Sequence, residues 1–314
     1  MSGASDRAGL SCKLSMSYPM ENGEIENFDD IEKLWTYIFE EKLKEPPYNP
    51  TGKREKMVEV MFETFGVPSL NISIQGVLAL LGQGRTTGLV LDSGEGVTHC
   101  VPIFDGYGLP HCINRLDLAG RDLNTLLCKL IALEGKARLT TTEQHAAARQ
   151  MKEELCYVAL DPSTEVAEFA DFRLPGGRTV QLQDERWRCP EALFNPSLVG
   201  LECFGVSGMV WDSISRCELD VRKNLLSNVV LSGGCTMFPG FSERLSKELR
   251  ALAPVAAQCD IRVLKSRDQI SAVWTGGQVF ASLREMQEEL WMSIDDYDEY
   301  GASLMHEKVA VKFN

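Results

Sequence analysis

No Cys-x-x-Cys pair occurs in these 314 residues, and no histidine–cysteine cluster has zinc-ligand spacing. The ten cysteines stand singly, several inside apolar runs, as Cys100 does within residues 98–103. They read as small buried hydrophobes in a reducing compartment. There is no run of 18 apolar residues, so nothing is expected to span a membrane. The N-terminus lacks the basic-then-apolar pattern of a signal peptide. Positive charge is the scarce sign: 32 Lys and Arg face 45 Asp and Glu, a net charge of −13. Such a surface repels nucleic-acid phosphates and anionic lipid, so neither is expected as a direct partner. No basic nuclear-import run and no short-period repeat is apparent.

What is present is an ordinary globular mixture, 44% apolar and 25% charged. The length suffices for two lobes at roughly 100–200 residues per domain. Ile31, Leu34, Trp35, Ile38 and Phe39 form a helical stripe behind a capping Asp29 or Asp30, and Pro46-Pro47 stops it. Met57, Val60, Met61 and Phe65 mark a second amphipathic helix closed by Gly66. "SLNISIQ", residues 69–75, alternates like a strand, and residues 76–84 form a short apolar helix. Strands are expected over 89–92 and 97–104, and helices over 118–133 and 143–160, the last ended by Asp161-Pro162. Weak strands and a Pro175-Gly176-Gly177 turn fill 162–185. Two helices, a strand with a glycine turn and helix (228–252), a strand ("DIRVLKS") and a glycine turn leading into a helix (271–291) complete an α/β alternation.

Two strand–glycine turns carry the chemistry. One is Asp92-Ser93-Gly94-Glu95-Gly96, the other Ser232-Gly233-Gly234 after an apolar strand. Glycine lets the backbone approach a ligand closely, so successive N–H groups can cradle phosphate oxygens. An aspartate at a strand end can hold hydrated Mg²⁺ beside them. From pattern alone, a plain hairpin and an ordinary strand-to-helix connection are the commoner reading.

Long ordered segments then resemble one family: "REKMVEVMFETFGVPS", "GRTTGLVLDSGEGVTHCVPIFDGYGLPHCINRLDLAGRDL", "MKEELCYVALD", "ERWRCPEALFNPSLVGLE", "LSGGCTMFPGFSERLSKEL", "AVWTGGQVFASL" and "YDEYGASLMHEKV". From Tyr18 onward the chain is similar to actin and the actin-related proteins. The resemblance implies an α/β, actin-like ATPase-domain fold: two lobes around a cleft that holds ATP or ADP with Mg²⁺ between two hairpins. It makes 92–99 the second phosphate hairpin. Asp92 would be the metal-side carboxylate, acting through water, and Ser93, Gly94, Glu95, Gly96 and Val97 would offer N–H groups. Gln75 would position the attacking water, with His99 on the same network. Gly120 would approach the ribose, Lys152 and Glu153 would lie beside the adenosine, and Gly233, Gly234, Cys235, Met237 and Phe238 would form the adenine-side loop. Out of that context Gln75 is a strand-end polar residue, His99 a core histidine, and Lys152 and Glu153 a solvated helix face. The resemblance also implies a groove for amphipathic partner helices lined by Leu81, Tyr107, Phe280 and Leu290.

The resemblance also has gaps. The family's first hairpin, Asp-x-Gly-[Ser/Thr]-Gly with a following lysine, is not found in these residues, nor is the small domain over the cleft; only Lys13–Ser17 could be its exit strand. A buried strand is missing where "EPPYNP" bridges residues 45–50. Asn22 replaces a modifiable histidine, Ile270 replaces a lysine near the adenine, the loop around 162–175 is shorter, the helix before Trp291 is one residue longer, and the tail ends "VAVKFN". The expected organisation is a disordered or remnant segment 1–17, an incomplete first lobe from 18–82 and 272–314, a third subdomain from 83–118 and 203–271, and a fourth from 119–202. The Trp35/Phe39 and Met61/Phe65 faces would lose much of the sheet they pack on. At about 1.5–3 kcal/mol per large apolar side chain, that exposure would consume a typical stability of about 5–15 kcal/mol. A poorly stable or partner-dependent first lobe is therefore expected, and one cooperative urea transition with a high midpoint would contradict it.

The expected function is that of an actin-related cytoskeletal or assembly protein, cytoplasmic, without ATPase activity, working with actin-like subunits or a multiprotein complex. The alternative is an ATP-binding, filament-forming relative represented by a truncated product. A small-molecule kinase of the same superfold would need the missing hairpin and a catalytic aspartate.

Overall fold

The computed structural model describes residues 20–21, 24–41, 51–139, 142–174, 177–265, 269–283 and 290–308. The segments 1–17 and 45–50, the Phe39 side chain, Pro175-Gly176, the residues just before Leu290 and the tail 309–314 lie outside what is described.

Strand β4 (Gly88–Ser93) pairs antiparallel with β5 (Thr98–Phe104) through the expected glycine turn. On its other edge β4 pairs in parallel with β10 (Val229–Ser232), which pairs with β11 (Val263–Lys265). Short strands β6 (Tyr107–Gly108) and β7 (Asn114–Leu116) both pair with β5. Each face of this six-stranded sheet feeds a different core. Leu89, Leu91, Cys100, Val229 and Leu231 enter the larger core, with the helices Val206–Arg216, Leu219–Leu226 and Phe241–Leu252. Val90, Val101, Ile103 and Val230 enter the smaller one. Helix α3 (Gln75–Leu81) lies on that second face, and α10 (Ala272–Ser282) packs along α3. Alternation of side chains along a strand makes this two-sided burial possible, and a near-continuous apolar run is its sequence signature.

The smaller core also receives α1 (Phe28–Glu41), α2 (Thr51–Glu59) with a π-helical turn Val60–Thr64, and the helices Ile294–Tyr300 and Met305–Lys308. Here the expectation of uncovered apolar faces fails. Trp35 and Met61 are 1% and 0% exposed. The last described strand and helices supply the cover: Met292 and Met305 are fully buried, and Tyr297 stacks on Phe62 at 4.9 Å. Phe65 sits edge-on to Trp35. Polar contacts fasten the same junction, Tyr297 Oη donating to Glu63 and the His306 ring meeting Glu55.

Three local expectations are corrected. Residues 69–75 are not one strand: only β3 (Ser69–Leu70) pairs, with β12 (Met292–Ser293), and Gln75 begins α3. Ile72 and Ile74 alternate inward because the core takes them, without a ladder. Helix α5 (Thr142–Leu155) stops short of residue 160, because the Tyr157 and Val158 N–H groups donate to Arg186 and Pro239 carbonyls instead. Gly276 and Gly277 are helical, inside α10, rather than in a turn before it. Helix α4 (Gly120–Leu133) and the hairpin β8–β9 (Ala170–Arg173, Thr179–Leu182) lie, with α5 and α6 (Glu185–Phe194), on the larger core.

Candidate functional site

Register builds a polar row across the top of the sheet. Ser232 of β10 stands opposite Asp92 of β4, Asp92 opposite His99 of β5, and His99 opposite Arg115 of β7. Two residues down, Val230, Val90 and Val101 form the apolar row beneath. Asp92, His99 and Ser232 thus share the face on which α3 begins at Gln75. Desolvation by burial raises the Asp92 pKa, and a hydroxyl contact from Ser232 offsets part of that. His99 is 7% exposed. Burial, helped by Arg115 and opposed by Asp117, lowers its pKa to about 4, so it is neutral at pH 7.

The His99 shift has a sign that can be tested. Its folded-state pKa lies below the unfolded value near 6.5. Its contribution is therefore complete above pH 6.5 and is lost as pH falls toward 4, by up to roughly 3 kcal/mol. His99→Gln is expected to flatten the decline of the urea midpoint over that range. An imidazole proton signal that is lost in His99→Gln and titrates above pH 6 in the unaltered chain would exclude the assignment.

The turn itself has an acceptor-poor concavity. Gly94 N–H donates to Val97 O at 3.2 Å. The N–H groups of Glu95, Gly96 and Val97 meet no protein acceptor among the described residues. Space beside Gly94 and Gly234 is open, whereas a methyl group at Gly233 would lie 2.3 Å from Ser93 O and 2.9 Å from Asp92 Oδ1. Gly233 also holds φ 84°, a conformation that only glycine adopts cheaply. The two glycine turns therefore touch at Gly233 and diverge at Gly94 and Gly234. Cys235 joins them, its thiol donating to Gly94 O at 3.2 Å, and burial pushes its pKa up to about 11. The turn carbonyls face α4: Gly120 N–H donates to Gly94 O and Arg121 N–H to Glu95 O. Lys152, 4% exposed, reaches across from α5 to Gly120 O at 2.9 Å.

The structure therefore brings together Asp92 to Val97, His99, Gly120, Lys152, Gly233, Gly234 and Cys235. Of the other expected residues, Met237 closes the turn that Gly234 begins, while Glu153 and Phe238 point elsewhere. Glu153 is exposed and paired with Arg149 at 2.9 Å. Phe238 is a core residue, 7% exposed, and Met237 is half exposed. Ser232, read in the sequence only as the start of the second glycine turn, joins the polar row, and the residues missed from sequence are Asn124 and Gln269. Gln269 Nε2 donates to Thr236 Oγ1, and its carbonyl accepts from Gly233 N–H, which fixes the second turn. Periodicity gives no sign of these contacts, because each depends on tertiary register.

A second site lies on the opposite edge of α3. Leu81, Tyr107, Phe280 and Leu290 line one cavity of about 90 Å³, with Val77, Leu80 and Ile103 beneath. Arg85 and Asp105 stand on its rim. Tyr107 is 56% exposed, a large apolar ring held at the mouth by the Asp105-Gly106 turn.

Among the described residues no helix is long and apolar enough to cross a membrane, and no group of three or more His, Cys, Asp and Glu could hold a metal ion. A family model described as Actin matches residues 5–310, essentially the whole chain.

Proposed function

Because the chain belongs to the actin family, we propose that it is a structural or assembly subunit that engages partner helices through its apolar groove and, in this 314-residue form, does not hydrolyse ATP. The family has an actin-like fold, generally binds ATP or ADP with Mg²⁺, associates with actin-like subunits or complexes, and is generally cytoskeletal and cytoplasmic. The observation that carries the proposal is the convergence of Leu81, Tyr107, Phe280 and Leu290 on one cavity, from four separated parts of the chain. An amphipathic helix can seat an apolar side chain there and satisfy Arg85 and Asp105 at the rim. Tyr107→Glu places a charge at the mouth without disturbing the core. It is expected to weaken binding of a synthetic amphipathic helix at least tenfold by fluorescence anisotropy, and equal affinity would remove the groove from the proposal.

The nucleotide half of the proposal rests on one glycine hairpin. The donors present fit a phosphate-bearing ligand with Mg²⁺: three N–H groups without a protein acceptor, open space at Gly94 and Gly234, and one strand-end carboxylate. Bound Mg²⁺ would supply charge neutralisation at the phosphates, with Asp92 holding its water. Neutral His99 and Gln75 would sit beside that water network. A clamp with one jaw surrounds the phosphates on one side only, and catalysis needs groups positioned on both. Calorimetry on the chain is expected to show no micromolar affinity for MgATP and no phosphate release. The second reading, an ATP-binding filament former, is favoured by the acceptor-free N–H groups. Micromolar binding with nucleotide-dependent pelleting would establish it in place of the first. In that event Asp92→Ala should weaken binding through the cation, and an unchanged affinity would discredit the register.

A further inference from the structure

We infer that residues 69–73 form an open sheet edge that accepts an extended, basic segment of a partner protein as an added strand. The surface is separate from the groove at Tyr107 and from the glycine turns.

Strand β3 is shorter than the extended segment it begins. Only Ser69 and Leu70 pair with β12, yet burial alternates on through Ile74, which still holds an extended φ of −74° and ψ of 129°. Leu70, Ile72 and Ile74 turn into the smaller core, while Ser69, Asn71 and Ser73 are half-buried. Side-chain bonds hold the segment where the ladder stops. Asn71 Nδ2 donates to Leu290 O at 2.7 Å, and Ser73 Oγ donates to Asn71 Oδ1.

Register assigns the two edges. Pro68 O accepts from Ile294 N–H at 3.2 Å, and Leu70 stands opposite Met292. Main-chain polar groups of successive residues point to opposite sides of a strand. Pro68, Leu70 and Ile72 therefore address β12, and Ser69, Asn71 and Ser73 address the other side. The N–H and C=O groups of Asn71 and Ser73 meet no protein partner among the described residues. Natural edges are commonly guarded by lysine, proline or another charge, and "SLNISI", residues 69–74, contains none. Such a row of main-chain groups is a template for a further strand, and because it is already held extended, a partner does not have to order it.

Charge selects the occupant. The helix Ile294–Tyr300 begins where β12 leaves β3, and it carries Asp295, Asp296, Asp298 and Glu299. Glu63 joins them through its bond from Tyr297 Oη. Lys308 offsets Asp296, but Glu63, Asp295, Asp298 and Glu299 have no ion-pair partner among the described residues. The Ser69 end of the edge is thus acidic, and an added strand with Lys or Arg at that end is attracted to it. Apolar residues at alternate positions of the added strand would stand beside Leu70 and Ile72 as cross-strand neighbours. A second copy of the chain would instead bring its own acidic helix and a net charge of −13 to the same place.

The test uses the full chain and a fluorescein-labelled peptide of alternating valine and threonine with lysines at one end, followed by anisotropy. Urea unfolding of each variant checks its folding. The lysine peptide is expected to bind, and a version with glutamates in place of the lysines about tenfold more weakly. Ser73→Pro removes an edge N–H that has no partner in the chain alone, and it is expected to weaken binding about tenfold or more, whereas Ser73→Ala keeps it. Binding is expected to survive in Tyr107→Glu, which separates this edge from the proposed groove. In the unaltered chain, bound peptide is expected to slow hydrogen exchange at the Asn71 and Ser73 amides. Should Ser73→Pro fail to fold, that exchange decides. No binding of the lysine peptide, equal binding by a folded Ser73→Pro variant, or unchanged exchange at Asn71 and Ser73 would overturn the inference. Loss of binding in Tyr107→Glu would move the peptide to the groove and overturn it too. A dimer of the unaltered chain that Ser73→Pro dissolves would make a second copy the occupant and overturn the basic partner.

Discussion

Gly276→Ala is expected to lower the urea midpoint of the chain sharply, by an amount corresponding to about 3 kcal/mol, and to weaken helix binding in the groove at the same time. The new methyl carbon would lie 1.7 Å from the backbone oxygen of Leu78, far inside contact distance. A backbone atom cannot rotate away, so α3 and α10 must part. Overpacking of this kind costs about 1–3 kcal/mol or more. The effect should reach the groove because its walls belong to the same two helices, Leu81 on α3 and Phe280 on α10. The neighbouring glycine supplies the control. Nothing lies within 4 Å of a methyl group at Gly277, so Gly277→Ala should be neutral or gain up to about 1 kcal/mol from helix propensity. Gly82→Ala, at 2.9 Å from Ala272 O, should fall between the two. Equal midpoints for the Gly276 and Gly277 variants would contradict the close helix crossing.

Arg244→Met is expected to cost about as much, roughly 3–5 kcal/mol at pH 7, for a different reason. Arg244 is 8% exposed and meets Glu191, itself 6% exposed, through two nitrogens at 3.1 and 3.2 Å. It also donates to Ala159 O at 2.7 Å, pairs with Glu248, and lies over the Phe194 ring. One guanidinium thus ties α6, the segment after α5 and the helix Phe241–Leu252. Removing it strands a carboxylate and a carbonyl in the larger core. Burial already raises the Glu191 pKa, and Arg244 is the group that opposes this. Without Arg244 the shift grows. A raised folded-state pKa means that stability returns as pH falls, so the loss should shrink on acidification. The pair Glu191→Met with Arg244→Met should lose less than Arg244→Met alone. Urea unfolding at pH 7 and pH 5 measures all three. A deficit independent of pH would mean that the stranded charge is not its source.

The α/β alternation and the hairpin at 88–104 were legible in the sequence because both strands are long, apolar and joined by a glycine turn. The two glycine turns were equally visible, but their meeting was not. That Gly233 abuts Ser93 and Cys235 bonds Gly94 depends on a parallel pairing between strands more than a hundred residues apart. The family resemblance assigned both turns to one nucleotide site, and the pairing itself is a finding of the structure. Where local rules misled, a tertiary contact had displaced them. The alternation at 69–75 tracked burial of Ile72 and Ile74 rather than a ladder. The paired glycines at 276–277 looked like a turn because their real use, letting two helices touch, leaves no local mark. The smaller core was expected to be left uncovered because its cover, Met292, Tyr297 and Met305, comes from the far end of the chain.

That cover has a consequence for biosynthesis. Met61 and Met292 pack in one core but are about 230 positions apart. At a ribosomal rate of about 5–20 residues per second, the first helices wait roughly 10–50 seconds before their covering segment is made. The sheet they rest on is also late, since β10 and β11 complete it only at residue 265. Throughout that interval Trp35, Met57, Met61 and Phe62 have only transient partners, and the nascent chain presents a sticky amphipathic surface. A holding chaperone that sequesters such surfaces would determine how much of this protein reaches its native state, whatever the stability of the finished fold.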